Sequence, residues 1–226
     1  MFKALALKEL RETAWIVAVA AAAYIYMAGG LLGYRVLPGP GDGYRHWSRS
    51  FVDILEANLS MFVMVSAGLA AGLGIRQAVA ESSRGMWQFL LHRPAPRRWI
   101  VGGKLLVGMT LYLTLAAAPI LVLSLWRSIP GTHPSPFEWS MMSDHWLTWY
   151  VLTPLYLGGF LAGLRPGRWV GTRLWPLAGT GIVVLGAVGA AVAWRDSWIL
   201  AIAAIAVLDF LLFISVFHVA ETRDFS

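Results

Sequence analysis

A chain of 226 residues with 58% hydrophobic and only 13% charged side chains lies far from the roughly one-quarter charged composition of a soluble domain, and it reads as an integral membrane protein. That length allows one compact helical bundle and leaves little for a separate soluble catalytic domain. With no cysteine, disulfides and thiolate chemistry are excluded, and the net charge of +6 is read from where the cations stand along the chain, not as a sign of nucleic acid.

Residues 1–12 mix charged and apolar positions, with Phe2, Leu5 and Ala6 on one face and Lys8, Arg11 and Glu12 largely on another. This pattern predicts an amphipathic helix lying on the membrane surface. A first span follows over about 13–34, too long and too poorly flanked for a cleaved signal sequence. The stretch 37–56 opens rich in Gly and Pro and continues through Trp47, Phe51 and Ile54 as a short amphipathic cap. The second span, 57–75, carries no charge and places Gly68 and Gly72 at the spacing that lets membrane helices approach closely.

The segment 81–104, ESSRGMWQFLLHRPAPRRWIVGGK, is the most informative part of the chain. Glu81, Arg84 and Gln88 form one polar stripe, and Met86, Phe89 and Leu90 recur beside it, which predicts a short amphipathic helix. Pro94 and Pro96 end that helix by removing backbone donors and biasing the residues before them toward extended conformation. Arg97 and Arg98 then stand at the water-facing end of the third span, 105–126. From the residues alone, two readings of this helix stay open: a docking element for a partner, or a surface helix resting on lipid with its Arg side chains on headgroups and Trp87 at the interface.

An irregular connection with Pro130, Pro134 and Pro136 leads to the fourth span, 146–164. Trp146, Trp149 and Tyr150 mark its start as an interfacial belt, and Gly159 and Gly163 repeat the close-packing spacing. Arg165, Arg168 and Arg173 fill the turn before the fifth span, 174–194, which reaches the sixth, 198–218, through Arg195, Asp196 and Ser197 alone. Each span matches the roughly 20 residues that cross a hydrocarbon core of about 30 Å. The fold class is thus all-α, a polytopic bundle of six transmembrane helices forming one domain.

Thirteen of the 18 Lys and Arg residues fall on the side of the N-terminus, the 81–98 segment, the Arg165–Arg173 turn and Arg223. Arg35, Arg45, Arg49, Arg127 and Arg195 fall on the other. The positive-inside rule then places both termini and the 81–98 segment in the cytoplasm, in a membrane of the bacterial inner type.

No chemistry of the chain's own is legible. Gly103 and Lys104 lack the Gly spacing and following hydroxyl of a phosphate-binding loop, and there is no HExxH pair and no G-x-S-x-G elbow. His133, Met141, Met142, Asp144 and His145 match no ligand pattern for a metal, and ordinary loop residues are the default there. Asp209 is the one charge read as lying deep in a span, where an unpaired carboxylate costs on the order of 2.5–3.5 kcal/mol. Its expected partners are the hydroxyls of Ser66, Thr114, Thr153 or Tyr24, unless it is protonated; it either lines a translocation path or fixes packing by an interhelical hydrogen bond.

The order Glu81, Gly85, Leu90 with Leu91, Pro94, Arg97 with Arg98, and Lys104 resembles the cytoplasmic coupling region of ABC-2-type transporter permeases, as does an Arg223–Asp224 pair after the last span. Met86 stands where that family most often has a small hydroxyl residue, and the family's re-entrant hairpin between the last two spans is almost absent here. The resemblance implies a coupling helix at 81–98 gripped by a separate ABC ATPase subunit, two copies of which would hold ATP and Mg²⁺, and a second permease subunit, identical or related. It implies no cofactor and no enzymatic activity on this chain itself. Two rivals remain: a membrane anchor or scaffold without transport, and a secondary transporter, which should show inverted repeats and several intramembrane charges or broken helices, where only Asp209 qualifies.

Overall fold

The computed structural model describes residues 2–31, 51–82, 97–129, 137–165, 172–193 and 198–222. Those residues are helical, with no strand among them: α1 Phe2–Leu31, α2 Phe51–Ser82, α3 Arg97–Ser128, a 3-10 turn Trp139–Met142 leading into α4 Ser143–Val151, α5 Thr153–Leu164, α6 Trp175–Ala193 and α7 Trp198–Thr222. Five stretches are long and apolar enough to cross a membrane: α1, α2, α3, the run Trp139–Leu164 and α7. A sixth apolar helix, over Trp175–Ala190, is shorter.

Side-chain pairings give the direction of each helix. Glu9 meets Lys104 while Tyr24 meets Ser66, and Gln77 lies beside Lys104, so α1 and α3 run one way and α2 runs back between them. Tyr156 reaches Leu105 and Trp149 reaches Leu113, which sets α4 and α5 antiparallel to α3. Thr180 lies against Gly158 and Arg173 against Gly163, so α6 returns; Asp209 bonds Thr153 and Phe217 lies beside Gly102, so α7 descends again. The helices therefore alternate in direction through the bundle.

Three expectations change. The surface helix over 1–12 and the first span are one continuous helix, because Glu9 is drawn fully into the bundle by a cation on α3 and the chain has no reason to bend at Thr13. The helix that carries the second span starts earlier than expected, with residues 51–56 of the anticipated cap continuous with it in α2, while its apolar membrane-crossing stretch is Leu59–Ala80. The fourth span is broken at Leu152, where Pro154 has no N–H to give the Tyr150 carbonyl. The Thr153 hydroxyl oxygen lies 2.8 Å from that carbonyl oxygen.

That broken run is the centre of the molecule. Of its most apolar window 78% is buried, against 22–33% for the other four spans, and every residue of α5 from Thr153 to Leu164 is buried. Small residues allow this. A Cβ on Gly159 would stand 2.8 Å from the Ala71 carbonyl oxygen of α2, and one on Gly163 would stand 2.5 Å from Ala78 Cβ, so only glycine lets the two backbones meet. Gly68 plays no such part, because nothing lies within 4 Å of the position its Cβ would take.

Candidate functional site

The bases of α1, α2, α3 and α5 are tied by four polar side chains that bury completely or nearly so: Glu9, Gln77, Lys104 and Tyr156 are 0–1% exposed. Lys104 Nζ donates to Glu9 Oε1 at 2.6 Å and lies 3.5 Å from the Gln77 carbonyl oxygen. Gln77 Nε2 returns a bond to the Lys104 carbonyl at 3.5 Å, and Gln77 Oε1 accepts the Tyr156 hydroxyl at 2.8 Å. The same hydroxyl lies 3.2 Å from the Leu105 carbonyl oxygen. Gly108, one turn further along α3, leaves the space this cluster needs, since a Cβ there would run into Gln77 Oε1 and the Tyr156 hydroxyl.

Two opposite charges out of water are costly unless paired and hydrogen-bonded, and here the pair is backed by two other elements, through Gln77 of α2 and, by way of Gln77, Tyr156 of α5. Its depth is informative. A 32-residue helix such as α3 is about 48 Å long, well beyond a hydrocarbon core of about 30 Å. Lys104 is seven positions into it, roughly 10 Å from its start, which sets the ion pair close to the end of the bundle from which residues 83–96 depart.

Of the residues expected to couple this chain to a partner, Arg84, Gly85, Gln88, Leu90, Leu91 and Pro94 lie outside the described residues. Glu81 falls in the last turn of α2, and Arg97 and Arg98 open α3, Arg98 exposed and Arg97 half-buried.

Asp209 is not alone in being a charge withdrawn from water, since Glu9 and Lys104, near one end of the bundle, are fully buried. Lys104 had a visible signal: it is the lone charge between Trp99 and Trp126, a position that demands a counter-ion. Glu9, among Lys8, Arg11 and Glu12, had none.

Asp209 finds one of its four expected partners. Its Oδ2 accepts the Thr153 hydroxyl at 2.6 Å, and its Oδ1 is buried with no hydrogen-bond partner. Tyr24 and Ser66 bond each other at 2.7 Å, and Thr114 bonds the Thr110 carbonyl of its own helix. Asp209 lines a cavity of about 440 Å³ between α3 and α7 whose other walls are apolar, among them Leu105, Met109, Leu157, Phe210 and Phe213. The carboxylate and the break at Leu152 thus coincide.

Arg173 does more than mark topology. Its Nε and Nη2 donate to the Ala162 and Gly163 carbonyls at 3.1 and 2.7 Å, closing the C-terminal end of α5, where a cation also suits the helix dipole. Partial burial lowers the pKa of this guanidinium from its ordinary value. At the opposite end, His145 packs its ring 5.5 Å from that of Phe62, and no group of three His, Asp or Glu side chains gathers among the described residues; His133 lies outside them.

No protein-family model, curated protein or solved structure matches this chain. What it does must be argued from its own residues.

Proposed function

We propose that this chain is the membrane-spanning subunit of an ATP-driven exporter of the ABC-2 type. In this reading it crosses the membrane six times, with α6 as the fifth span and both termini and the 81–98 segment in the cytoplasm. It pairs with a second permease subunit, identical or related, and hydrolyses nothing itself. A separate ABC ATPase, one copy under each permease subunit, binds ATP and Mg²⁺ and pushes on Glu81, Arg84, Gly85, Gln88, Leu90, Leu91, Pro94, Arg97 and Arg98.

The observation that carries the reading is the tie between the two helices flanking that segment. Gln77 of α2 and Lys104 of α3 exchange bonds, and Glu9 and Tyr156 add α1 and α5. A displacement of the bend between α2 and α3 is then delivered to four helices together. Helices suit such transmission because their backbone bonds are satisfied internally, so they move as levers without exposing polar groups to lipid.

Purification of the full chain from its own membranes tests the reading. A co-purifying ATPase whose turnover falls in Glu81→Ala, at unchanged permease abundance, is the expected result. The absence of any ATP-hydrolysing partner, or a Glu81→Ala complex with unchanged ATPase binding and transport, refutes it.

The break at Leu152 beside Asp209 favours a second reading, a secondary transporter, since interrupted spans and intramembrane carboxylates are what such proteins use to bind substrate and coupling ion. Proteoliposomes holding this chain alone decide between the two. Substrate accumulation driven by an ion gradient without ATP assigns the second reading, and accumulation only with the ATPase and ATP assigns the first.

A further inference from the structure

At the end of the bundle away from the Glu9–Lys104 pair, α4 and the first turn of α7 enclose a cavity of about 720 Å³. Trp146, Trp149, Tyr150 and Trp198 wall it with aromatic rings, and Asp144 is the one charged side chain among the described lining residues. The spacing on α4 explains the grouping: Trp146, Trp149 and Tyr150 stand three and four positions apart and share a helix face. Trp146 and Trp149 meet edge to face at 5.5 Å. Trp149 is also held from behind, its Nε1 donating to the Leu113 carbonyl at 3.0 Å and its own carbonyl accepting the Tyr112 hydroxyl at 2.8 Å. This wall is preorganised.

We propose that this cup binds the quaternary ammonium head of a membrane amphiphile. Aromatic faces attract a cation through the ring quadrupole, and a quaternary ammonium, with no N–H to satisfy, suits a wall of rings better than a donor-rich head. The exposed Asp144 supplies the opposite charge, and its sign disfavours an anionic head. The occupant is a lipid-like molecule and not a free ion, because the lining continues into the apolar side chains of Leu147 and Ile202, which suit the chain next to the head. A plain interfacial belt of Trp and Tyr anchors the protein at the headgroup level but is indifferent to which headgroup it meets. The inference stands apart from the exporter reading, since it uses no residue of the cytoplasmic end.

Native mass spectrometry of the full chain released from neutral detergent, with equal amounts of phosphatidylcholine and phosphatidylglycerol supplied, tests it. Preferential retention of phosphatidylcholine by about fivefold or more is expected, falling toward parity in both Asp144→Asn and Trp198→Leu, with thermal stability close to the parent. Asp144→Glu should keep the preference, which guards against a folding defect. Choline chloride should compete only at millimolar or higher levels. Parity in the parent chain overturns the proposal. So does a preference that neither substitution changes, or one that only Asp144→Asn changes, which is charge repulsion alone. Tight binding of free choline overturns the assignment to an amphiphile.

Discussion

Glu9 and Lys104 stand 95 positions apart in the chain and 2.6 Å apart in the structure, both without solvent exposure. A buried pair of this kind is strongly sensitive to the loss of one partner and far less so to the loss of both. Lys104→Met or Glu9→Met alone should destabilise the bundle by about 3–5 kcal/mol, and the double Met variant should recover most of it or exceed the parent. Thermal unfolding in detergent of the parent, the two singles and the double reads this directly. Under the proposed exporter function, a double variant that is stable yet fails to couple ATP hydrolysis to transport would show that the pair serves motion more than folding.

Tyr156→Phe removes the hydroxyl that Gln77 Oε1 receives while leaving the ring in place. A loss of about 0.5–1.5 kcal/mol is expected from the bond itself, and up to about 3 kcal/mol if the buried amide finds no other donor. Gln77→Leu in the same background should restore part of the loss, which a double-mutant cycle on melting temperatures would detect.

Gly159 and Gly163 on one side and Gly68 on the other predict opposite outcomes. Gly159→Leu or Gly163→Leu would force α5 off α2, costing at least about 1–3 kcal/mol and compromising monodispersity on gel filtration. Gly68→Leu meets open space and should leave the elution profile and melting temperature close to the parent.

At the break in the fourth span, Thr153→Val removes the hydroxyl whose single proton is shared between Asp209 and the Tyr150 carbonyl. A destabilisation of roughly 2 kcal/mol or more is expected, with Thr153→Ser close to the parent because it keeps the hydroxyl. Under the proposed transport function, Asp209→Asn should preserve transport if Asp209 serves packing only, and a folded Asp209→Asn protein without transport would place the carboxylate on the path.

Much of this arrangement is legible in the amino-acid sequence. The apolar runs, the glycine spacing at Gly159 and Gly163, and the hydroxyl partner of Asp209 follow from local pattern and the cost of a charge in hydrocarbon. The Glu9–Lys104 pair does not, because a salt bridge between distant elements leaves no periodic trace, and Glu9 sits in a charged stretch that looks like a surface face. Pro154 is the one sign of the break at Leu152, and the uniform hydropathy around it conceals that sign. The segment 83–96, where pattern and resemblance are most suggestive, lies outside the described residues, so its expected helix is argued from sequence alone.

The enclosure of Thr153–Leu164 bears on how the protein is made. Synthesis delivers this stretch to the bilayer before α6 and α7 exist, so Gly158 lacks Thr180 and Thr153 lacks Asp209 while both wait among lipid tails. Its nearly unbroken apolarity lets it enter as an ordinary span, and only the arrival of the last two helices turns it into an axle. Chains halted after Arg165 should therefore insert normally and yet present an open seam, the state in which membrane quality control would have its best opportunity to seize them.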